Sequence, residues 1–501
     1  MIDVRKFVYD NITPYHGDFS FLVWPTEKTK ELWNEVKKYL KEERDWNWLR
    51  SADSETISTI TSHKPWYIKK ELETIVWLQT DEPLKRAIKP FWWVRVVENA
   101  LKERWIELSP RVKDIFHYAK NHNDAVFSAY DEESRLYRSK HIITWLPDNY
   151  ARGRVIWDYR RLALYWANYL IEMKKKDFEN IWGDMTDEKV ILREEISMQI
   201  SALKDIIKMA ADHWFDVSRP AETAQEAIQW TYFAYLAAVK EQDWAAMSLW
   251  NVSSFLDIYI EKDLQSWKIT EKQAQEFIDC FVMKLRLVRH LRPWAYDEIF
   301  GWDPTWVTES IWWTFNDWKT KVTKTSFRFL QTLYNLGPSP EPNLTVLWSD
   351  QLPEWFKKFC AQVSIDTSSV QYENDDLMRS CRWSDDYWIA CCVSYQEIWK
   401  RIQHFWARCN LWKTLLLAIN WWKEEDEWIQ VMDPTLFESV ENEDWTLNYD
   451  KVLNNFKKAM ENVARVYAKT MYVIHYMHDK YYYEKAQMAF LDSNYWVDIA
   501  Y

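Results

Sequence analysis

An α/β barrel, predominantly helical, is the fold class this 501-residue chain predicts, and three observations lead to it. Apolar residues recur at three- and four-residue spacing over long stretches, short apolar runs fall between them, and no internal repeat or Gly/Ser linker interrupts the alternation. Taken in order, helical periodicity covers about 161–178, 189–213 and 221–241. Thr270-Glu-Lys-Gln273 reads as a capping box, in which each side chain satisfies the other residue's backbone N–H. Behind it, Ala274, Phe277, Ile278, Phe281, Leu285 and Val288 form a buried stripe, and Pro293 is the expected stop. Strand candidates follow at Leu344–Trp348, Ala361–Ile365 and Trp388–Ser394. Asp450 opens a last helix that buries Leu453, Phe456, Met460, Val463 and Tyr467. One large domain is expected, with no boundary to place inside it.

Composition narrows the function classes. Lys+Arg 64 against Asp+Glu 76 leaves a net charge of −12 with no basic block, which argues against nucleic acid as a partner. The N-terminus lacks the apolar stretch of a signal peptide and no apolar run has membrane-spanning length, so a cytoplasmic protein with no membrane contact is expected. Cys280, Cys360, Cys381, Cys391, Cys392 and Cys409 show neither a CxxC nor a Cys/His ligand spacing, so neither a disulfide framework nor a metal site is predicted. His475 and His478 are three apart on a helix but have no third ligand at fitting distance. Glu373, Asp375 and Asp376 read as braces for a loop.

The sharpest chemical feature is the adjacent pair Cys391-Cys392. A disulfide wants Cα atoms about 4.4–6.8 Å apart, which neighbours reach only by distorting the peptide between them, so two thiols are expected. Taken alone, the pair reads first as small buried filler. Its surroundings reverse that reading: Ser364-Ile-Asp-Thr-Ser-Ser369 and Gln371-Tyr-Glu-Asn-Asp-Asp-Leu-Met378 precede it, and Phe405-Trp-Ala-Arg408 follows. With Thr13-Pro-Tyr15, Ser62-His63, Arg152-Gly-Arg154, Asp158-Tyr-Arg-Arg161, Arg219-Pro-Ala221, Ala224-Gln-Glu-Ala-Ile-Gln-Trp-Thr-Tyr232, Gly337-Pro-Ser-Pro-Glu-Pro342 and Ile474-His-Tyr-Met-His-Asp-Lys-Tyr481, these segments resemble the pyruvate formate-lyase family of glycyl-radical enzymes. The resemblance covers residues 1–490 and leaves 491–501 as a divergent tail.

The resemblance implies a ten-stranded α/β barrel of two five-stranded halves with the thiols on an internal loop, incomplete at the C-terminus. It also implies cleavage of pyruvate with coenzyme A to acetyl-CoA and formate. Heterolysis of the C1–C2 bond would need an electron sink; radical addition does not. By resemblance, a glycyl radical takes hydrogen from Cys392, the Cys391 thiyl adds to the pyruvate carbonyl and keeps the acetyl group, and Cys392 relays the radical to coenzyme A. Arg154 and Arg408 match the arginines that hold the carboxylate, for which a guanidinium is suited. Ala245, Phe300, Trp306 and Phe405 match the apolar wall that keeps water from the radical. The coenzyme A site has no assigned residues. A radical-SAM activating enzyme and a homodimeric partner subunit are implied as well. The competing readings are a 2-oxobutyrate formate-lyase and a non-catalytic remnant that binds pyruvate or a partner. Diol and choline lyases of the same superfamily fit less well, because that branch uses one cysteine.

Two departures stand out. The radical glycine of the family lies in an Arg-Val-Ser-Gly-Tyr stretch, and nothing in this sequence matches it. A fragment without the glycyl-radical domain, or a chain whose radical glycine sits on a separate polypeptide, is therefore expected, with no turnover by this chain alone. The second departure is compositional: there are 36 Trp and only 5 Gly, against a usual glycine share of about 7%. Trp92-Trp93, Trp312-Trp313, Trp421-Trp422, Trp157, Trp166 and Trp406 stand where the family has glycine, whereas Trp33, Trp230, Trp306 and Trp348 stand where it has tryptophan. Most tryptophans are accordingly expected to be glycines encoded by UGA and translated with the wrong code. Trp406 as written, two residues from Arg408, would block the substrate pocket.

Overall fold

The computed structural model describes residues 3–45, 51–90, 94–118, 122–144, 146, 153–156, 158–241, 246–293, 305–311, 314–315, 317, 319–382, 387–390, 394–397, 403–404 and 407–482. Its strands are β1 Ala52–Ile57, β2 Arg86–Ile88, β3 Ile143–Thr144, β4 Gly153–Ile156, β5 Ala246–Ser248, β6 Thr308–Ile311, β7 Asn343–Trp348, β8 Val370–Asn374, β9 Tyr387–Ala390, β10 Ser394–Glu397, β11 Gln403–His404 and β12 Arg408–Cys409. Helices supply most of the remainder.

The strands that organise the molecule run parallel and in chain order. β4 pairs with β5, and β6, β7 and β8 pair in succession. The two groups are joined by Met247 N–H to Trp306 O (2.8 Å), Leu249 N–H to Thr308 O (2.8 Å) and the parallel bridge Trp250–Glu309. The result is a five-stranded parallel half-barrel, β4-β5-β6-β7-β8. Parallel neighbours need long crossovers, and helices Val252–Gln265, Glu271–Leu285, Lys324–Asn335 and Glu354–Thr367 supply them on the outer face. Helix Ala224–Glu241 lies at the centre of the main core, with nearly every residue buried. A second core forms where helix Tyr449–Tyr482 meets helices His122–Ala129 and Leu411–Ile419.

Several expectations hold residue by residue. The Thr270–Gln273 capping box is present in both directions. The helix expected over about 189–213 runs Asp187–Ala211, Leu344–Trp348 lies within β7, and the last helix opens at Tyr449 beside Asp450. Others are corrected. Ala361–Ile365 is helix: Phe356, Phe359, Cys360, Val363 and Thr367 are buried at helical spacing while Ile365 is exposed, so the apolar run is one edge of a longer helical stripe. The helix beginning at Glu271 ends at Leu285, ahead of Pro293, and tapers through i→i+3 bonds as Arg286 and Arg289 turn inward to carbonyls and to Glu43. The helix expected over 161–178 is two, Arg160–Tyr165 and Ala167–Asn180, broken at Trp166 with φ +48°. Trp388–Ser394 is not one strand: β9 ends at Ala390 and β10 starts at Ser394.

Left-handed backbone is concentrated at tryptophan. Of the thirteen described non-glycine residues with positive φ, ten are tryptophan: Trp77, Trp105, Trp166, Trp214, Trp250, Trp267, Trp421, Trp422, Trp428 and Trp445. None of Trp33, Trp230, Trp306 and Trp348 is among them.

Candidate active site

β9 and β10 form an antiparallel hairpin whose last pair is Ala390–Ser394, so residues 391–393 connect its two ends. Cys391 and Cys392 fall in that connection and lie outside the described residues. Among the described residues the hairpin does not join the half-barrel's ladder. β9 instead packs beside β4, which carries Arg154, β5, which follows Ala245, and β6, which follows Trp306.

What fixes the hairpin is buried polar chemistry. The Tyr387 hydroxyl donates to Asp375 Oδ1 (2.6 Å), and Arg379 Nε lies 3.0 Å from Asp375 Oδ2. Burial pushes the Asp375 carboxyl up, and burial together with that carboxyl pushes the Tyr387 phenol up, so the phenol stays a donor. The Tyr387 ring stacks on Tyr395 across the hairpin (5.2 Å between centroids, 23° between planes), and Trp250, Leu347 and Ile389 pack around it. Asp375 is thus a brace, as its segment suggested. The long-range partners Tyr387 and Tyr395 were not foreseen, because an acid and a phenol twelve residues apart carry no spacing signal.

Arg154 sits on β4, its backbone paired with Ala246 on β5 and with Gln403 on β11. β11 therefore brings the chain just before Phe405 beside Arg154. Arg408 lies on β12, paired with Thr144 of β3, and is exposed. Trp306 is half-buried, with the Arg292 guanidinium 4.4 Å from its ring. Ala245, Phe300, Phe405 and Trp406 lie outside the described residues. Near the strand ends, Arg160 is held by Asp158 (2.8 Å) and lies 3.6 Å over the Trp250 ring. Glu309 on β6 accepts the backbone N–H of Ser253 (2.9 Å) and Val252 (3.4 Å), and burial lifts its pKa to about 8.

The described cysteines Cys280, Cys360, Cys381 and Cys409 are free. Burial raises the thiols of Cys280, Cys360 and Cys409, which disfavours thiolate chemistry there. Among the described residues, the only grouping with metal-ligand geometry is Glu424, Glu425 and Asp426. Lys413 already occupies it, at 3.1 Å from Glu424 and 2.6 Å from Glu425. No described helix is long and apolar enough to cross a membrane.

A parallel half-barrel with a hairpin packed beside its first three strands, and the solved structures it resembles, define a class: the fold is that of the glycyl-radical enzymes. A glycyl radical enzyme from Archaeoglobus fulgidus superposes with a TM-score of 0.64 at 14% identity, over 97% of this chain and 66% of that one. The glycerol-bound B12-independent glycerol dehydratase from Clostridium butyricum superposes with a TM-score of 0.76 at 19% identity, over 95% and 67%. At sequence level the "Pyruvate formate lyase-like" family model matches residues 2–496, and the chain belongs to that family. It is 51% identical over 499 residues to a formate acetyltransferase of Haemophilus influenzae, covering 98% of this chain and 64% of that protein's length.

Proposed function

We propose that residues 1–490 form the catalytic core of a formate acetyltransferase, which cleaves pyruvate and transfers its acetyl group to coenzyme A. The observation that carries this reading is the 51% identity to a formate acetyltransferase over 98% of the chain, together with the adjacent Cys391-Cys392 in its sequence. A glycyl radical, supplied from sequence outside this chain and installed by a radical-SAM activating enzyme, provides the hydrogen abstraction. This chain's residues do the rest. Cys392 gives up its hydrogen, Cys391 binds the acetyl group as a thioester, and Arg154 and Arg408 neutralise the carboxylate of the substrate. Ala245, Phe300, Trp306 and Phe405 keep the pocket dry, so a thiyl radical meets substrate before solvent. The proposed assembly is a cytoplasmic homodimer. The test is anaerobic turnover by the activated full-length gene product with pyruvate and with 2-oxobutyrate. Acetyl-CoA and formate from pyruvate at the higher kcat/KM support the reading, a preference for 2-oxobutyrate replaces the substrate, and pyruvate bound without turnover overturns it.

We infer further that the tryptophans at left-handed positions are glycine in the working protein, encoded by UGA. A non-glycine residue held in the left-handed region costs about 1–3 kcal/mol, so ten of them would consume most or all of the ~5–15 kcal/mol stability of a domain. Two populations of tryptophan support this. Trp230 is buried with its indole N–H donating to Arg219 O (3.3 Å) and its ring edge-on to Phe215. The Trp77 and Trp422 indole nitrogens are buried with no hydrogen-bond partner, which such a group meets only at a cost. Genomic sequencing separates the cases position by position. UGA at the ten left-handed sites with UGG at Trp33, Trp230, Trp306 and Trp348 is the expected result; UGG throughout would end the idea.

A further inference from the structure

Apart from the hairpin, one cavity of about 510 Å³ combines a positive lining with a buried cation that makes no ion pair among the described residues. It lies between helix Glu27–Asp45, the end of helix Glu271–Leu285 and the turn at residues 338–341. Lys37, Lys41 and Arg44 reach it from one face of the first helix, at i, i+4 and i+7, and Arg286 and Arg289 reach it from beyond the second. Glu43 and Glu341 are the acids of the lining, so five cations against two carboxylates leave a local charge of +3 in a chain whose net charge is −12.

The acids are already engaged. Glu43 is shared between Arg86 (2.6 Å) and Arg289 (2.9 Å), and Glu341 accepts the backbone N–H of Val307 (2.7 Å). Lys41 pairs with Asp45. That leaves Lys37, Arg44 and Arg286 with no ion pair among the described residues. Arg286 is the telling one, at 7% exposure. Its Nη atoms donate to the carbonyls of Leu336 (3.3 Å) and Gly337 (3.0 Å), its Nε has no hydrogen-bond partner, and the Trp33 ring lies 5.4 Å away. Burial draws its pKa down to about 10, so it is charged at neutral pH. Asp279, buried and hydrogen-bonded by Gln275 and Asn335, faces it electrostatically without making an ion pair, so an anion entering the cavity would add a direct counter-charge. Leu40, Leu285, Pro338 and Pro340 supply the apolar part of the lining.

We propose that this cavity binds a multiply charged organic phosphate. Three cations without an ion pair match a polyanion, the directed donors of Arg44 match phosphate oxygens, Arg286 adds its charge, and the apolar side chains take the organic part. A three-carbon acid would leave most of the volume empty. The proposal stands on the charges and the cavity, and is independent of the pyruvate reading.

The experiment is calorimetric titration of the full chain with ATP and with inorganic pyrophosphate, for the natural sequence and for the double variant Lys37→Glu, Arg44→Glu. Both replaced side chains are exposed, so the variant is expected to keep its thermal midpoint. Saturable binding of ATP, tighter than that of pyrophosphate and weakened by about tenfold or more in the double variant, is the expected result. Absence of saturable binding for both probes, or ATP binding that the double variant leaves unchanged, overturns the proposal.

Discussion

Replacing Trp105, Trp214 and Trp267 by glycine should stabilise the protein by about 3 kcal/mol in total, about 1 kcal/mol at each site. Each of the three follows a helix at the position where the chain turns left-handed, with φ of +55°, +67° and +58°. The hydrogen bonds are those of a Schellman ending: Ile106 N–H to Leu101 O with Trp105 N–H to Lys102 O, Phe215 N–H to Ala210 O with Trp214 N–H to Ala211 O, and Lys268 N–H to Asp263 O with Trp267 N–H to Leu264 O. Glycine meets that geometry without a Cβ penalty. The indoles are 80%, 88% and 93% exposed, so their removal forfeits almost no packing. The assay is urea unfolding of Trp105→Gly, Trp214→Gly, Trp267→Gly, singly and together, in a background in which the other seven left-handed tryptophans are already glycine. Trp230→Gly is the opposing control: it empties a buried site and breaks the bond to Arg219 O, at a cost of about 3–5 kcal/mol. If the triple variant is no more stable than its background, or if the control behaves like the triple, the left-handed strain argument is wrong.

Four further outcomes follow from the same geometry. Tyr387→Phe leaves the buried Asp375 carboxyl without its phenol donor and should cost about 1–3 kcal/mol in denaturant unfolding; an unchanged midpoint would show that the bond does not hold the hairpin. Glu43→Gln removes the shared counter-charge of Arg86 and Arg289 and should cost about 3–5 kcal/mol by the same method, with a loss under about 1 kcal/mol contradicting it. Glu309, at about 8 in the folded state against 4.5 in the unfolded chain, makes the folded state the proton-rich one between those values. Its contribution is therefore full below about 4.5 and lost as pH rises toward about 8, and Glu309→Gln should flatten that decline in a thermal-midpoint series. Cys391→Ala and Cys392→Ala should each abolish acetyl-CoA formation by the activated full-length protein while leaving the thermal midpoint nearly unchanged; activity retained in either variant would remove that thiol from the relay.

How much could be read in advance depended on the range of the interaction that decides each element. The capping box at Thr270 is a four-residue contact, and it was legible. An α/β barrel was foreseen as a class from alternating helices and strands, and its five-stranded halves only through the resemblance; the order β4 to β8 in sequence rests on hydrogen bonds between residues as far apart as Met247 and Trp306. Ala361–Ile365 misled because a short apolar run has no period of its own; the buried stripe from Phe356 to Thr367 decides it. The break at Trp166 was hidden by residue identity, since tryptophan does not announce a left-handed turn as glycine would. At the candidate site, Cys391, Cys392, Arg154 and Arg408 stood out through their motifs, and Asp375 through its segment. Tyr387 and Tyr395 did not, because only the hairpin brings them together.

The central claim is that Cys391 carries the acetyl group while Cys392 relays the radical. Rapid-quench peptide mass spectrometry of the activated full-length protein, given pyruvate without coenzyme A, tests it directly. The account predicts an acetyl mass on the peptide containing the adjacent thiols, located at Cys391 and discharged when coenzyme A is added. An unmodified pair, or an acetyl group on Cys392 or on any other cysteine, would contradict it.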